Sequence, residues 1–166
     1  MKTDKIYLIG FMAAGKSTVG KALANRLHWE FRDLDELIEK KEQLSVTDFF
    51  RKRGETAFRK AENAMLNEIQ QLRRVVVATG GGTFENSSNR TIITDDGIAV
   101  WLDIPIETAL SRLSGDPTRP LASNPKRLRS LWASRRPTYS LAQVQVATEG
   151  KTIEDLVTQI INWMSK

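Results

Sequence analysis

The chain has 166 residues, of which 40% are hydrophobic and 27% charged, as is typical of a single soluble globular domain. The absence of cysteine excludes disulfides and thiolate metal sites, and no apolar run approaches the roughly 20 residues that span a bilayer. The net charge of +5 suits anionic small substrates or nucleic acid, but the basic residues are not interleaved with aromatic ones as in a stacking platform for single strands.

Short apolar runs alternate with helical stretches along the chain. The predicted strands are residues 6–9, 29–31, 75–78, 98–102 and 144–146, of which 29–31 is the weakest. The predicted helices are residues 16–27, 34–42, 45–53, 55–72, 105–114, 125–134 and 152–164. This alternation predicts a parallel sheet covered by helices on both faces, with ligands bound at the carboxyl ends of the strands.

Two segments interrupt the alternation. Residues 33–72 hold three predicted helices between consecutive strands, which is more than one crossover requires and predicts an inserted helical subdomain for a second substrate. Residues 115–124 are loop-rich and contain Arg119, as expected of a lid over a phosphate site. We therefore expect one domain over residues 1–166 that carries these two specialised parts.

The most informative motif is G-x-x-x-x-G-K-[ST], which runs from Gly10 to Thr18 between a predicted strand and a predicted helix. In that order the loop N–H groups wrap phosphates and the helix N-terminus adds positive potential, so a plain glycine turn is disfavoured. Lys16 is then expected to reach the terminal phosphates, and the Ser17 hydroxyl to ligate Mg²⁺. The predicted ATP-binding residues of this loop are Ala13, Ala14, Gly15, Lys16, Ser17 and Thr18.

One position of the loop is unusual. Ala13 stands where many small kinases with this loop carry glycine. Its methyl group is expected to strain a backbone that must approach phosphate closely.

Two carboxylates, Asp33 and Asp35, follow the weak strand at residues 29–31. In a kinase one of them can hold Mg²⁺ through water, while the other accepts a hydrogen bond from the attacking hydroxyl. The alternative is an acidic cluster that stabilises the N-terminus of the following helix. The phosphate-binding loop in the same chain favours the functional interpretation.

Three consecutive glycines, Gly80, Gly81 and Gly82, follow the apolar strand at residues 75–78. A turn needs one or two glycines, so the third indicates that the backbone comes close to something other than protein. The strand lacks the terminal aspartate of an ordinary Walker B motif, which favours a variant kinase over a standard ATPase or GTPase.

Four arginines are candidate anion ligands, since guanidinium binds carboxylate and phosphate in a bidentate manner. They are Arg59, Arg119, Arg135 and Arg136, the last two just before Pro137 at a predicted helix end. For any one of them the alternative is an ordinary solvated surface charge.

Together these segments resemble the shikimate kinase family, in order and over nearly the whole chain. The matching motifs are GFMAAGKST, FRDLDE, GETAFRKAE, VVATGGGT, TRPLA and SRRPTY. The resemblance implies a three-layer α/β/α P-loop kinase fold of the nucleoside-monophosphate-kinase type, with a five-stranded parallel sheet. It also implies Mg²⁺-dependent transfer of the ATP γ-phosphate to the 3-hydroxyl of shikimate, in aromatic amino-acid biosynthesis.

On the donor side, the resemblance implies that Lys16 contacts the β- and γ-phosphates. It implies one Mg²⁺ held by Ser17, with Asp33 reaching the ion through water. Arg119 moves in with the lid to stabilise the transferring phosphate. The residues expected beside the adenine are Arg112 and Lys151.

On the acceptor side, the resemblance implies that Asp35 binds shikimate hydroxyls and is the candidate base. Arg59 and Arg135 hold the shikimate carboxylate, and Glu62 orients Arg59. The backbone contacts to shikimate are expected from Gly80, Gly81 and Gly82.

Two rival interpretations remain open at this point: another P-loop small-molecule kinase such as a gluconate kinase, and a non-catalytic relative kept as a binding protein. A nucleic-acid-binding module is suggested by basicity alone. The start of the sequence leads straight into the first predicted strand without the features of a secretory signal, so we expect a cytoplasmic protein. We also expect a monomer that binds neither nucleic acid nor membrane.

Overall fold

The structure is a computed structural model that describes residues 3–114 and 124–166. Almost all of the predicted lid at residues 115–124, including Arg119, therefore lies outside the described residues. Among the residues it describes, no helix is long and apolar enough to cross a membrane.

The described part of the chain contains five strands that form one parallel sheet. They are β1 (Lys5–Ile9), β2 (Glu30–Asp33), β3 (Val75–Ala78), β4 (Ile98–Asp103) and β5 (Val144–Ala147). Their order across the sheet is β2-β3-β1-β4-β5, with Lys5 opposite Val75 and Ile6 opposite Ile98. All five predicted strands are present, the weakest of them shifted by one to two residues.

Seven α-helices surround the sheet in the described ranges. They are α1 (Lys16–Leu27), α2 (Leu34–Glu42), α3 (Val46–Ile69), α4 (Ser87–Asp96), α5 (Ile106–Leu113), α6 (Pro125–Tyr139) and α7 (Ile153–Met164). Every residue of β1 and β3 is buried although successive side chains point to opposite faces, so helices cover both faces. The predicted three-layer architecture is confirmed.

Three helical predictions need correction. The predicted helices 45–53 and 55–72 are both present within α3, separated at Gly54, whose φ of 82° and ψ of 175° are not helical, but the second one ends at Ile69 rather than at residue 72. Helix α4 was not predicted, because its sequence is polar and buries only Asn89 and Ile93. Its available signal was the Asn86 cap, whose side chain accepts a hydrogen bond from the Asn89 N–H.

Helix α6 is also longer than predicted. It runs through Pro137 to Tyr139 instead of ending near residue 134. The proline removes one helical hydrogen bond, but the buried Tyr139 anchors the last turn. Arg135 and Arg136 therefore lie inside a helix and point in different directions, rather than together at a helix end.

The two ends of the sheet differ in how their polar groups are used. At the amino ends of the strands, the buried Lys5 ammonium donates to Asp96 at 2.7 Å and to the Gln70 carbonyl at 2.6 Å, and Tyr7 donates to the same carboxylate. These buried polar groups satisfy one another. The motifs singled out in the sequence instead follow the carboxyl ends of β1, β2 and β3.

Candidate active site

The loop between β1 and α1 has the backbone of a phosphate cradle. Gly10 and Gly15 adopt φ values of 139° and 90°, which favour glycine, and Gly15 caps the N-terminus of α1. The Lys16 ammonium donates to the Gly10 and Phe11 carbonyls at 2.7 and 2.9 Å, which places its charge across the loop. A phosphate bound here would meet N–H groups, the helix N-terminus and this ammonium.

Ala13 lies in the left-handed region, with φ 65°. An L-residue there is strained by roughly 1–2 kcal/mol because its Cβ crowds the following carbonyl. The expected strain at this position is present. The carbonyl of the same residue accepts a hydrogen bond from Arg112 at 2.8 Å, which ties α5 to the loop.

Asp33 and Ser17 meet directly beside the loop. The Ser17 hydroxyl donates to Asp33 Oδ2 at 2.7 Å, while Asp33 Oδ1 accepts the Glu36 N–H at 3.2 Å. Asp33 is thus both the N-cap of α2 and a neighbour of the loop, so the helix-capping alternative is present while the metal-binding role stays a prediction. One hydroxyl and one carboxylate next to a phosphate site fit Mg²⁺, which takes few protein ligands and completes its shell with phosphate and water.

Asp35 lies two residues further, in the first turn of α2, and has a different environment. Its Oδ1 atom is buried and has no hydrogen-bond partner among the described residues. Burial raises the pKa of this carboxyl to about 6, the charge of Asp33 adds to the rise, and Lys16 and Arg59 oppose it. A buried, unpartnered carboxylate oxygen under the influence of two cations is suited to accept a hydrogen bond from a hydroxyl of a bound ligand.

The three glycines make room for site side chains. A Cβ at Gly80 would lie 3.1 Å from Asp35 Oδ1, one at Gly81 would lie 3.0 Å from Arg135 Nη1, and one at Gly82 would overlap the Arg59 guanidinium. We expected the third glycine to accommodate something other than protein, but the described neighbours are side chains of the chain itself. The turn therefore brings Asp35, Arg59 and Arg135 together around one short backbone segment.

Arg59 is held by acidic partners on its own helix. It pairs with Glu62, which is fully buried, and more weakly with Glu55 at 3.3 Å. Burial raises the pKa of the Glu62 carboxyl, and the Arg59 charge counteracts that rise. The predicted orienting contact between these two residues is present in the structure.

Arg135 and Arg136 have separate roles. Arg136 binds Asp103 at 2.6 and 3.3 Å, and its guanidinium lies 5.0 Å from the Trp101 ring centre and 4.6 Å from that of Trp132. Arg136 therefore holds α6 against the end of β4. Arg135 is the one that reaches the glycine turn, so only this member of the pair remains a candidate ligand.

A cavity of about 650 Å³ joins the loop to the acidic residues. Arg112 and Lys151 line it, together with Asp33, Asp35 and the glycine turn. Thr148, Ile153 and Leu156 are among the lining residues that were not predicted from the sequence. Ile153 is 43% exposed. The available signal in the sequence was an isoleucine at the start of a predicted helix. Arg59 lines an adjoining groove of about 790 Å³ instead.

The family model for shikimate kinase matches residues 12–165. This chain belongs to the shikimate kinase family. It is 41% identical to the shikimate kinase of Persephonella marina, with 94% of this chain and 96% of that protein aligned. It is 40% identical to the shikimate kinase of Aquifex aeolicus, with 95% and 94% aligned.

Solved structures agree with this assignment. The chain matches the shikimate kinase of Acinetobacter baumannii in complex with shikimate at a TM-score of 0.92 and 38% identity, covering 99% of this chain and 94% of that one. The match to the Aquifex aeolicus shikimate kinase has a TM-score of 0.87, 39% identity and coverage of 97% and 96%. A gluconokinase from Sinorhizobium meliloti is similar at a TM-score of 0.59 and 16% identity, which is a likeness of fold alone.

These comparisons confirm the resemblance, the P-loop kinase fold and the expectation of a shikimate kinase enzyme. Neither a gluconate kinase nor a non-catalytic binding protein is favoured. The roles of individual residues stay predictions.

Proposed function

We propose that this protein transfers the γ-phosphoryl group of Mg-ATP to the 3-hydroxyl of shikimate, giving shikimate 3-phosphate and ADP. One observation carries the proposal: the unpartnered Oδ1 of Asp35 is buried in the cavity lined by the phosphate loop, where the Lys16 and Arg59 charges act on it. The likeness to a kinase structure determined with shikimate supports the choice of acceptor.

The donor half of the site is the loop from Gly10 to Thr18. Its N–H groups and the Lys16 ammonium bind the β- and γ-phosphates, and Ser17 with Asp33 would hold Mg²⁺. Bound there, the ion supplies positive charge that neutralises the phosphates. Arg112 and Lys151 line the same cavity and would flank the adenine.

The acceptor half is the glycine turn with its two arginines. Arg59 and Arg135 would bind the ring carboxylate, so binding energy at that end orients the hydroxyl at the other. The backbone N–H groups of Gly80, Gly81 and Gly82 would contact the acceptor.

Asp35 faces the reacting end. Its carboxylate accepts the hydrogen bond of the attacking hydroxyl and takes its proton as the new O–P bond forms and the bond from the γ-phosphorus to ADP breaks. A pKa of about 6 leaves this carboxyl ionised yet nearly matched to proton transfer at neutral pH. Alignment and charge neutralisation supply the rest, because phosphoryl transfer needs little covalent help from protein.

Arg119 lies outside the described residues, and its role rests on the TRPLA motif. We propose that its guanidinium meets the transferring phosphate when the lid at residues 115–124 closes. Arg119→Ala should then lower kcat more than it weakens ATP binding, and an unchanged kcat would exclude this role.

We also propose that the enzyme acts as a monomer in the cytoplasm, without nucleic acid or membrane as a partner. Light scattering would reveal a dimer, and binding of arbitrary DNA that weakens steeply with salt would reveal a nucleic-acid partner.

The function is tested by ADP release from Mg-ATP with shikimate, gluconate, a nucleoside monophosphate or no acceptor. We expect strong stimulation by shikimate alone, and loss of it in Lys16→Met. Stimulation by gluconate or a nucleotide instead would show that the acceptor assignment is wrong while leaving the phosphate loop intact.

A further inference from the structure

Tyr139, the last residue of α6, carries a polar group that the proposed mechanism does not use. The residue is 1% exposed, and its hydroxyl donates to the Gly81 carbonyl at 2.5 Å. Burial raises the pKa of this phenol to about 12, so it remains a hydrogen-bond donor at every pH at which the enzyme would be assayed. The bond links residues 58 positions apart in the chain.

The partner of this bond is the middle of the glycine turn, where the backbone is intrinsically least restricted. Side-chain bonds fix the two ends of the turn: Thr79 donates to the Leu8 carbonyl at 2.9 Å, and Thr83 accepts the Gly80 N–H at 3.0 Å. The centre of the turn is fixed by Tyr139. Without that bond, the peptide after Gly81 could rotate between its two fixed ends.

The position of Gly81 matters to the acceptor site because it touches Arg135. A Cβ placed on Gly81 would lie 3.0 Å from the Arg135 guanidinium and 3.7 Å from the Met12 nitrogen of the phosphate loop. The Arg135 guanidinium also interacts with the Tyr139 oxygen itself. The phenol therefore touches both the turn and the arginine that the proposed function assigns to the acceptor carboxylate.

Tyr139 is itself attached to the rigid part of the molecule. Its ring packs against Trp101 of β4, with ring centres 5.9 Å apart. Trp101 is 4% exposed and lies beside Gly10, where a Cβ would be 3.4 Å from the indole. Arg136, three residues earlier in α6, is bound to Asp103 at the end of β4. The phenol is thus a fixed point, and the glycine turn is the part that it restrains.

We propose that Tyr139 is a positioning residue for the acceptor: its hydroxyl fixes the Gly81 backbone and the Arg135 guanidinium at the separation that the acceptor carboxylate requires. The proposal rests on the proposed function, since it assigns the acceptor to this turn. It predicts a defect confined to acceptor binding when the hydroxyl is removed, because the phosphate loop keeps its own hydrogen bonds.

The chain offers a matched control, because it contains only two tyrosines. Tyr7 is also fully buried and also donates through its hydroxyl, but to Asp96 at the opposite end of the sheet. Tyr139→Phe and Tyr7→Phe delete the same atom from equally buried rings. Steady-state kinetics with shikimate and with ATP, together with thermal unfolding, are measured for both variants and the wild type.

For Tyr139→Phe we expect the KM for shikimate to rise about tenfold, as for the loss of one well-aligned hydrogen bond, while kcat and the KM for ATP stay within about threefold. For Tyr7→Phe we expect both KM values to be unchanged, whatever happens to its Tm. A third variant with 4-aminophenylalanine at position 139 keeps an N–H donor and should recover most of the lost affinity.

The proposal is overturned if Tyr139→Phe leaves the shikimate KM within twofold of wild type, or if Tyr7→Phe raises it equally. It is also overturned if the 4-aminophenylalanine variant is folded but no better than the phenylalanine one. Should Tyr139→Phe fail to fold, the 4-aminophenylalanine variant carries the test: a near-wild-type KM supports the proposal and a tenfold rise refutes it. If shikimate does not stimulate ADP release by the wild-type enzyme, the proposed function is refuted instead. This result separates the failure of the function from the failure of the Tyr139 proposal.

Discussion

Asp35→Asn should make the protein more stable at neutral pH while it removes most of the activity. The reason is that burial raises the pKa of the Asp35 carboxyl from 3.8 to about 6. Ionisation of this group therefore destabilises the folded state. Asparagine has nearly the same shape and carries no charge. The variant therefore separates the cost of the buried carboxylate from the packing of the side chain.

The magnitude follows from the difference in pKa between the folded and unfolded states. A difference of about 2 units corresponds to roughly 3 kcal/mol. Because the folded-state pKa is the higher one, there is no penalty below about pH 4, it grows as the pH rises toward 6, and it is complete above that. A newly buried amide N–H costs about 1–2 kcal/mol, so the net gain at pH 7.5 should be about 1–2 kcal/mol.

The pH dependence is the sharper quantity, because the amide contribution does not titrate. Between pH 7.5 and pH 5.0 the stability advantage of the variant should shrink by roughly 1.5 kcal/mol. Urea unfolding at these two pH values, on wild type and variant, measures it. The same samples should show kcat reduced at least about a hundredfold, as expected for loss of a general base.

Asp33→Asn is the matched control. Both oxygens of Asp33 have partners, Ser17 and the Glu36 N–H, so removing its charge relieves no unpartnered buried group. Because the Asp33 charge contributes part of the rise in the Asp35 pKa, we expect a smaller stabilisation from this variant at pH 7.5 than from Asp35→Asn. The reasoning would be refuted if Asp35→Asn were no more stable than wild type at pH 7.5, or if its advantage did not depend on pH.

Four further predictions follow from the site. The kcat/KM for shikimate should fall as the pH drops below about 6, because Asp35 becomes protonated, and Asp35→Asn should abolish that limb of the pH–rate profile. Ala13→Gly should stabilise the protein by about 1 kcal/mol, measured by denaturant unfolding, because it relieves a left-handed alanine; a loss of stability would contradict the strain. Gly82→Ala should raise the KM for shikimate at least about tenfold at constant KM for ATP, because its methyl overlaps Arg59. Kinetics with each substrate varied separately measure both values, and an equal rise in both would contradict this prediction. Arg135→Ala should weaken shikimate binding in a direct titration by about a hundredfold, and unaltered affinity would remove this residue from the acceptor site.

The sequence was most informative where function depends on contiguous residues. The phosphate loop is a local structure whose glycines, lysine and serine stand at fixed spacing, so its site followed from the motif alone. Strands β1, β3 and β4 were recognisable because a buried parallel strand is a short apolar run, whereas β2 is polar and partly exposed and gave the weakest signal. Asp33 and Asp35 could be distinguished only in the tertiary structure, since neighbouring carboxylates look alike in sequence.

Helix boundaries show the limit of local signals. Helix α4 is polar and was overlooked, and α6 continues through Pro137 because the buried ring of Tyr139 holds its last turn. The polar exterior of α4 and the proline in α6 both argue against a helix locally, and tertiary packing overrides them. The same lengthening of α6 decides which of two adjacent arginines faces the acceptor site.

The sequence by itself determined the fold class, the nucleotide loop and the set of residues from which the site is built. The tertiary structure alone decided what each member of that set does. Asp35 has a raised pKa while Asp33 is capped and partnered, Arg136 binds Asp103 while Arg135 reaches Gly81, and Tyr139 fixes the turn between them. Burial, hydrogen-bond partners and the direction of a side chain depend on elements far apart in the chain, and no local pattern encodes them.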